Sequence, residues 1–198
     1  MNTGDIYREL SRRLMMENSE LIPSIWRAVC DEREARLVAA LPGTVAELSE
    51  RMGIGSEEIR GMLASLFQKG AVFESARDGE TLYRMPRHII QFHDATLLWK
   101  EAPGEMIDLW VRFMDTEYAS LLELVTQIKM PSFMRVIPIN ETLDTLSGVM
   151  VYEDAARLIE GADTIAVVPC VCRKSQKLCD RPVEICIQLN RGAEYTLK

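Results

Sequence analysis

The segment that begins at Thr44 constrains the fold more than any other, because each break in its apolar pattern carries its own capping or turn signal. Thr44, followed three residues later by Glu47, is a capping box, which predicts a short helix that reaches Met52. Residues 53–55 read Gly-Ile-Gly, a sequence typical of a tight turn. A second helix is predicted to start at Ser56, directly after this turn.

Two short strands are predicted after the second helix. That helix should run to residue 69, where Gly70 ends it, and residues 71–75 and 81–85 then alternate between apolar and polar side chains. Residues 77–79 read Arg-Asp-Gly, a hairpin turn signal. Helix, turn, helix and hairpin in this order predict a winged helix.

Two further helices are predicted ahead of the winged helix. Apolar residues recur at helical spacing over residues 6–16 and 22–41, and Pro42 with Gly43 ends the second helix. Cys30 lies inside that helix, apart from the other cysteines, and is expected to be a small buried hydrophobe.

The local patterns change near Pro86 and again near Pro131, which divides the chain into three segments. We expect a winged-helix domain over residues 1–87, a helical connector over residues 88–130, and a small third domain over residues 131–198. The predicted fold class is therefore α+β.

The connector carries apolar residues at helical spacing, and Pro103 with Gly104 splits it into at least two helices. Its apolar positions include Leu97, Leu98, Met106, Leu109, Trp110, Phe113, Leu121, Leu122, Val125 and Ile128. These positions are expected to form a core, and the alternative is the interface of a homodimer. His88 and His93 are five apart, so they do not share a helix face, and local hydrogen bonds are expected for each.

The last segment is predicted to be a βαβ unit. Residues 135–139 and 164–168 are β-branched runs, and a helix is expected between them over residues 152–160. Strand, helix and strand in this order imply two parallel strands joined by a right-handed crossover. The remaining cysteines begin where the second strand ends.

The composition of the chain disfavours several classes of function. The 198 residues carry 30 acidic and 23 basic side chains, a net charge of −7, which disfavours nonspecific attraction to nucleic acid or anionic lipid. Neither a signal peptide nor a membrane span is recognisable, so we expect a cytoplasmic protein without membrane contact. In that reducing compartment, clustered cysteines favour a metal or redox site over disulfides.

Four cysteines, Cys170, Cys172, Cys179 and Cys186, fall inside seventeen positions, here called the cysteine block. Thiols or disulfides without a metal are one interpretation, and structural zinc is a stronger one, because four thiolates suit its tetrahedral geometry. Zinc sites, however, more often carry two Cys-x-x-Cys pairs. A 4Fe-4S cluster also takes four thiolates and tolerates irregular spacing, so chemistry favours the cluster over zinc.

The charged residues around the cysteine block also favour a 4Fe-4S cluster over zinc. Basic residues outnumber acidic ones there, which would offset the negative charge of a thiolate-bound cluster: Arg173, Lys174, Lys177 and Arg181 against Asp180 and Glu184. Cys170 and Cys172 are two apart on an expected strand end, so both sulfurs would point to one side. A short helix from Pro182 to Cys186 would return the fourth thiol to the same centre.

Residues 168–173 read Val-Pro-Cys-Val-Cys-Arg, and residues 179–186 read Cys-Asp-Arg-Pro-Val-Glu-Ile-Cys. Together with residues 136–141, Val-Ile-Pro-Ile-Asn-Glu, they resemble the Cys-x-Cys-Arg and Cys-x-x-Pro-x-Glu-x-Cys pattern of a family of iron-sulfur proteins from anaerobic bacteria and archaea. Members of that family resemble this chain in having an N-terminal winged-helix region, then this segment, and usually a ferredoxin domain with two 4Fe-4S motifs. The similarity covers most of the chain, and its cysteine block is the specific part.

The resemblance implies cluster ligands and neighbouring residues that support them. The ligands would be Cys170, Cys172, Cys179 and Cys186, with Arg173, Pro182 and Glu184 beside them or shaping the segment. The sequence stops at Lys198 without a Cys-x-x-Cys-x-x-Cys run, so we expect either a fragment or a protein that works without its own ferredoxin domain.

Three functions follow as hypotheses. The first is an electron-transfer or redox module that carries a 4Fe-4S cluster and docks onto a redox partner or a ferredoxin domain. The second is a transcription regulator that senses its cluster, and the third is an adaptor with structural zinc. No acid–base pair or phosphate loop is recognisable, so we expect the protein to be at most an oxidoreductase component and not an enzyme alone.

DNA binding is disfavoured for the winged helix. Two glutamates, Glu57 and Glu58, lead the helix that would read DNA, where readers need Arg, Lys, Asn or Gln. Between Thr44 and Arg87 there are six basic and seven acidic side chains, which gives no positive field for phosphate.

Overall fold

The computed structural model describes residues 5–77, 79–120 and 152–198. These residues form a mixed structure of helices and two small antiparallel sheets, which confirms the predicted α+β class. In chain order the elements are α1 (Ile6–Arg13), α2 (Ile22–Val29), α3 (Glu32–Ala40), α4 (Val45–Met52), α5 (Ser56–Gln68), β1 (Phe73–Arg77), β2 (Glu80–Arg84), α6 (Ile89–Leu98), α7 (Gly104–Asp115), α8 (Tyr152–Glu160), β3 (Ile165–Pro169), α9 (Val171–Gln176), β4 (Glu184–Leu189) and α10 (Arg191–Thr196).

The chain divides into two compact units. The first contains Met1–Tyr118 together with Val171–Arg181, and the second contains Ala119–Cys170 together with Pro182–Lys198. Each unit therefore draws on two separate stretches of sequence. The predicted division into three consecutive domains stays a prediction.

The helix–turn–helix of the first unit forms as its local signals predict. The Thr44 side chain accepts from the backbone N–H of Glu47, whose carboxylate accepts from the N–H of Thr44 at 2.7 Å, so the capping box is confirmed. Gly53 ends α4 with a φ of +64°, a conformation that glycine adopts readily. Ile59, Leu63 and Leu66 of α5 are buried, in line with the predicted core face.

The predicted hairpin also forms, with its strands displaced by one or two residues. Phe73 pairs with Arg84 and Arg77 pairs with Glu80 in antiparallel register. Gly43 and Tyr83 exchange two backbone hydrogen bonds, of 2.9 and 3.1 Å. This bridge attaches the hairpin to the residue that precedes the capping box of α4.

The predicted helix over residues 22–41 is wrong as a single element, because it is two helices, α2 and α3. Asp31 begins α3 with its own capping box: it accepts from the N–H of Glu34 at 2.8 Å, and the Glu34 carboxylate accepts from the N–H of Asp31 at 3.1 Å. A residue whose side chain caps a new helix is extended and cannot continue the previous one. Cys30, just before this break, is buried as predicted, with 3% of its surface exposed.

The core of the first unit is built on aromatic rings. Trp26 of α2 stacks on Phe92 of α6 with centroids 4.0 Å apart, and Phe92 and Phe113 meet Trp110 edge-on. The indole N–H of Trp110 donates to the Thr96 hydroxyl at 2.9 Å, which satisfies a buried donor. The aromatic stripe of the connector is therefore core, and the homodimer stays a prediction without an assigned surface.

The second unit contains the β3–β4 hairpin, which α10 packs against. The helix predicted over residues 152–160 and the strand predicted over residues 164–168 are found as α8 and β3. The partner of β3 among the described residues is β4, and the pairing is antiparallel. The strand predicted over residues 135–139 lies outside the described residues, as do the connector positions from Leu121 to Ile128.

Within the described ranges, no helix combines the length and apolar character that crossing a membrane requires.

Candidate metal centre

Each unit contains two of the four cysteines of the cysteine block. Cys172 and Cys179 belong to the first unit, and Cys170 and Cys186 belong to the second. All four are thiols in the structure. Cys170 and Cys186 are half-buried, and Cys172 and Cys179 are exposed, so each sulfur lies at or near the surface of its own unit.

The cysteines of the second unit lie at one end of the β3–β4 hairpin. Cys186 pairs with Val168 near the end of β3, and Cys170 follows that strand directly. The backbone N–H of Cys170 donates to the carbonyl of Val183 at 2.6 Å, which extends the pairing beyond a register shift at Val168 and Pro169. The backbone of both cysteines is thus fixed by the same ladder.

The helix predicted from Pro182 to Cys186 is wrong, because the residues from Glu184 onward form β4. Ile185 and Ile187 are more exposed than Cys186 and Gln188, an alternation with the period of two that a strand requires. The sequence does not show which side is exposed, because Ile185 and Ile187 are the apolar positions of this stretch. The antiparallel pairing with β3 explains why this stretch forms a strand.

The cysteines of the first unit lie on and just after helix α9. The sequence predicted an extended strand end that would put Cys170 and Cys172 on one side, and this is wrong because helix α9 begins at Val171. Cys172 is the second residue of α9. Cys179 lies beyond the helix, after Lys177, whose φ is +52°, and Leu178, which is 85% exposed.

Two side chains that follow Cys172 stabilise helix α9: Lys174 bonds to the end of α6, and Ser175 bonds within α9 itself. The Lys174 ammonium donates to the carbonyl of Leu97 at 2.6 Å and to that of Trp99 at 3.3 Å. The buried Ser175 hydroxyl hydrogen bonds to the carbonyls of Val171 at 2.9 Å and of Cys172 at 3.3 Å. These bonds and the packing of α9 on α6 and α7 explain why a helix forms here.

In the sequence, Lys174 stands out only by its charge, and Ser175 carries no signal of a role in a site. The partner of Lys174 lies 77 residues earlier in the chain, so no local pattern indicates the contact. Ser175 stands four residues after Val171, a spacing at which a serine in a helix commonly bonds a preceding carbonyl. That spacing was a usable signal.

Burial shapes the electrostatics of the groups around α9. Burial lowers the pKa of the Lys174 ammonium, because removing water disfavours its charged form. Burial also raises the pKa of the Tyr118 phenol, and the negative charges of Asp94 and Cys172 add to the effect.

The residues that the resemblance placed beside the ligands occupy different elements. Arg173 is half-buried on α9, Pro182 is exposed just before β4, and Glu184 is exposed at the first position of β4. Glu184 pairs with Pro169 at the register shift. Their roles as neighbours of a metal stay predictions.

Both histidines have local partners, as predicted. His88 caps the start of α6, and its Nδ1 accepts from the backbone N–H of Gln91 at 3.2 Å. The buried His93 ring lies with Nδ1 2.8 Å from an oxygen of Asp94 and packs edge-on against Trp110.

The cysteine block fits an iron-sulfur cluster in its donor chemistry, because four thiols can each supply a thiolate and none of them is buried. Over residues 5–77, 79–120 and 152–198, no group of three or more His, Cys, Asp or Glu side chains lies arranged to hold a metal ion. The donor set is thus suited to the cluster.

Neither a protein-family model nor a curated protein matches this chain. The resemblance to the iron-sulfur proteins of anaerobes therefore rests on the sequence itself, on residues 136–141, 168–173 and 179–186.

Proposed function

We propose that this protein binds a 4Fe-4S cluster through Cys170, Cys172, Cys179 and Cys186, and that it serves as an electron-transfer or redox module that docks onto a partner. The observation that carries the proposal is the state of these four residues. All are thiols at accessible positions, they fall within seventeen residues, and the backbone of three of them is fixed by hydrogen bonds. Such a set of soft donors suits iron and sulfide.

A bound cluster would supply one-electron transfer, which no ordinary side chain of the chain offers. The residues of the chain would hold it and adjust its environment. Lys177 and Arg181 are exposed next to Cys179, so their charges can offset the negative charge of thiolates there. The Lys174 ammonium donates to the Leu97 carbonyl of α6, so its main contribution to the site is to hold the helix that bears Cys172.

A winged helix that regulates transcription is the second candidate function, and one observation favours it. Helices α4 and α5, the turn between them and the β1–β2 hairpin follow in winged-helix order, and an isolated bridge between Gly43 and Tyr83 attaches the hairpin to the residue that precedes α4. We propose a winged-helix fold for this part of the first unit.

The cytoplasm, where a reduced cysteine block would persist, is the proposed compartment.

The test is metal and acid-labile sulfide analysis of protein purified without oxygen, with a visible absorption spectrum. We expect about four iron and four sulfide per chain and a brown chromophore that bleaches on reduction. Replacing any one cysteine of the block by serine should lower the iron content, whereas Cys30→Ala, which changes the buried thiol outside the block, should leave it unchanged. One zinc per chain without sulfide would refute the cluster and favour the zinc adaptor.

A further inference from the structure

Lys174 provides the last turn of α6 with a cation from a distant part of the sequence. Its Nζ lies 2.6 Å from the carbonyl oxygen of Leu97, in the last turn of α6, and 3.3 Å from that of Trp99, which follows the helix. The final carbonyls of a helix lack partners within the helix, and a positive charge is favourable there. The half-buried position of Lys174 shields the contact from water.

The same turn of α9 controls the backbone at Cys172. Lys174 stands two residues after Cys172, and the buried Ser175 hydroxyl hydrogen bonds to the Cys172 carbonyl. A six-residue helix has too few internal hydrogen bonds to be stable by itself, so its place depends on its packing on α6 and α7 and on these side-chain bonds. The position of the Cys172 sulfur therefore depends on an anchor that is not itself a ligand.

We propose that Lys174 is a positioning residue of the metal centre: by holding α9 on the carboxyl end of α6, it holds the Cys172 sulfur in place for the cluster. This inference rests on the proposed function. Residues that orient metal ligands without touching the metal commonly change metal affinity by about 10- to 100-fold when they are replaced. The effect of Lys174 should come from its bonds to Leu97 and Trp99 and not from its charge alone.

Four variants separate anchoring from charge and from general stability. Lys174→Met removes the anchor and one charge while keeping a long apolar stem, and Lys174→Arg can restore part of the contact. Lys100→Met removes one charge from an exposed residue of the first unit that lies outside the cysteine block. Thr44→Ala weakens the cap of α4, in the same unit but away from α9, by about 1 kcal/mol.

The first readout uses metal-free, reduced protein and a maleimide, with the labelled peptides measured by mass spectrometry. We expect Lys174→Met to change the rate at which Cys172 is labelled by about 10-fold, with Lys174→Arg intermediate, and Lys100→Met and Thr44→Ala close to the unchanged protein. The second readout is the rate at which the reconstituted cluster is lost to a chelator, followed by its visible absorption. The same order of variants is expected, with loss about 10-fold faster for Lys174→Met.

Equal labelling and equal cluster loss in Lys174→Met and the unchanged protein would overturn the inference and leave the cluster intact as a proposal. A change of the same size in Lys100→Met or Thr44→Ala would also overturn it, because charge or stability would then explain the effect. If the unchanged protein takes up no iron and sulfide, the proposed function fails, and the inference fails with it.

Discussion

Cys30 illustrates how burial decides the chemistry of a single cysteine. Only 3% of the surface of this residue is exposed, and its thiol donates to the carbonyl of Trp26 at 3.4 Å. Burial raises its pKa to about 12, with the Glu34 carboxylate adding to the effect and Lys69 opposing it. A thiol with so high a pKa stays protonated at neutral pH, so Cys30 is no candidate ligand, unlike the accessible cysteines of the block.

The raised pKa predicts that Cys30 makes the fold sensitive to alkali. In the unfolded chain the thiol ionises near its ordinary value of 9.0, whereas in the fold it ionises near 12, so between these values the unfolded state holds fewer protons. Stability therefore falls as the pH rises through this window, by up to about 1.4 kcal/mol per pH unit. Cys30→Ala cannot ionise here and lacks this loss.

Urea unfolding of both proteins at pH 7.5 and pH 10 checks the prediction. The unchanged protein should be the more stable at pH 7.5, and its advantage over Cys30→Ala should be smaller by about 1.4 kcal/mol at pH 10. Comparing the two proteins cancels the titration of every other group. An advantage that is the same at both pH values would contradict the raised pKa.

At the scale of elements, Gly70 sets how closely the end of α5 approaches α6. Its φ is +77°, and a Cβ placed there would lie 2.4 Å from the carbonyl carbon of Ala95 and 2.6 Å from the backbone nitrogen of Thr96. Both neighbours are backbone atoms inside a helix, so neither can move aside without disturbing α6. The contact requires glycine both for its conformation and for its lack of a side chain.

Gly70→Ala should therefore destabilise the first unit by about 2–5 kcal/mol, the sum of a strained backbone and an overpacked contact. Gly61→Ala is the matched control: Gly61 lies inside α5, and a Cβ there would meet no atom within 4 Å. Because alanine favours helix over glycine, this change should raise the free energy of unfolding by up to about 1 kcal/mol. Chemical denaturation of both variants measures the difference, and a loss of less than about 1 kcal/mol for Gly70→Ala would refute the close contact.

The elements that the sequence predicted well are those whose signals are local. The capping box of Thr44 and Glu47 fixes the start of α4 within four residues, and the hairpin follows from a turn signal. The second capping box, at Asp31 and Glu34, is equally local, and it was missed because an apolar helical pattern continues across the break.

The elements around the cysteine block could not be predicted in the same way, because their causes are not local. Helix α9 depends on the bond from Lys174 to Leu97, and β4 depends on its register with β3, where Cys186 meets Val168. The identity of the four thiols was readable from spacing and chemistry. Their backbone was not, since a short segment takes the conformation that its tertiary partners stabilise.

At the scale of the whole molecule, the charged side chains around α4 and α5 bear on whether this region can bind DNA. The guanidinium of Arg77 lies 2.7 Å from Glu47, that of Arg60 lies 3.3 Å from Glu57, and Glu58 is 2.6 Å from Arg33. Such surface pairs contribute little to stability. They do neutralise the cations that a DNA-binding face would present to phosphate.

This pairing predicts that the intact protein does not bind duplex DNA, even at low salt. A helix that reads the major groove needs donors at its start, and α5 begins with two exposed carboxylates, Glu57 and Glu58. Gel retardation with a duplex at about 50 mM salt should show no shift for the unchanged protein. Glu57→Lys combined with Glu58→Lys raises the local charge by four and should produce weak, salt-sensitive retardation, which shows that the assay can detect binding. Retardation of the unchanged protein that weakens as salt rises would instead favour a cluster-sensing regulator over a module that docks onto protein.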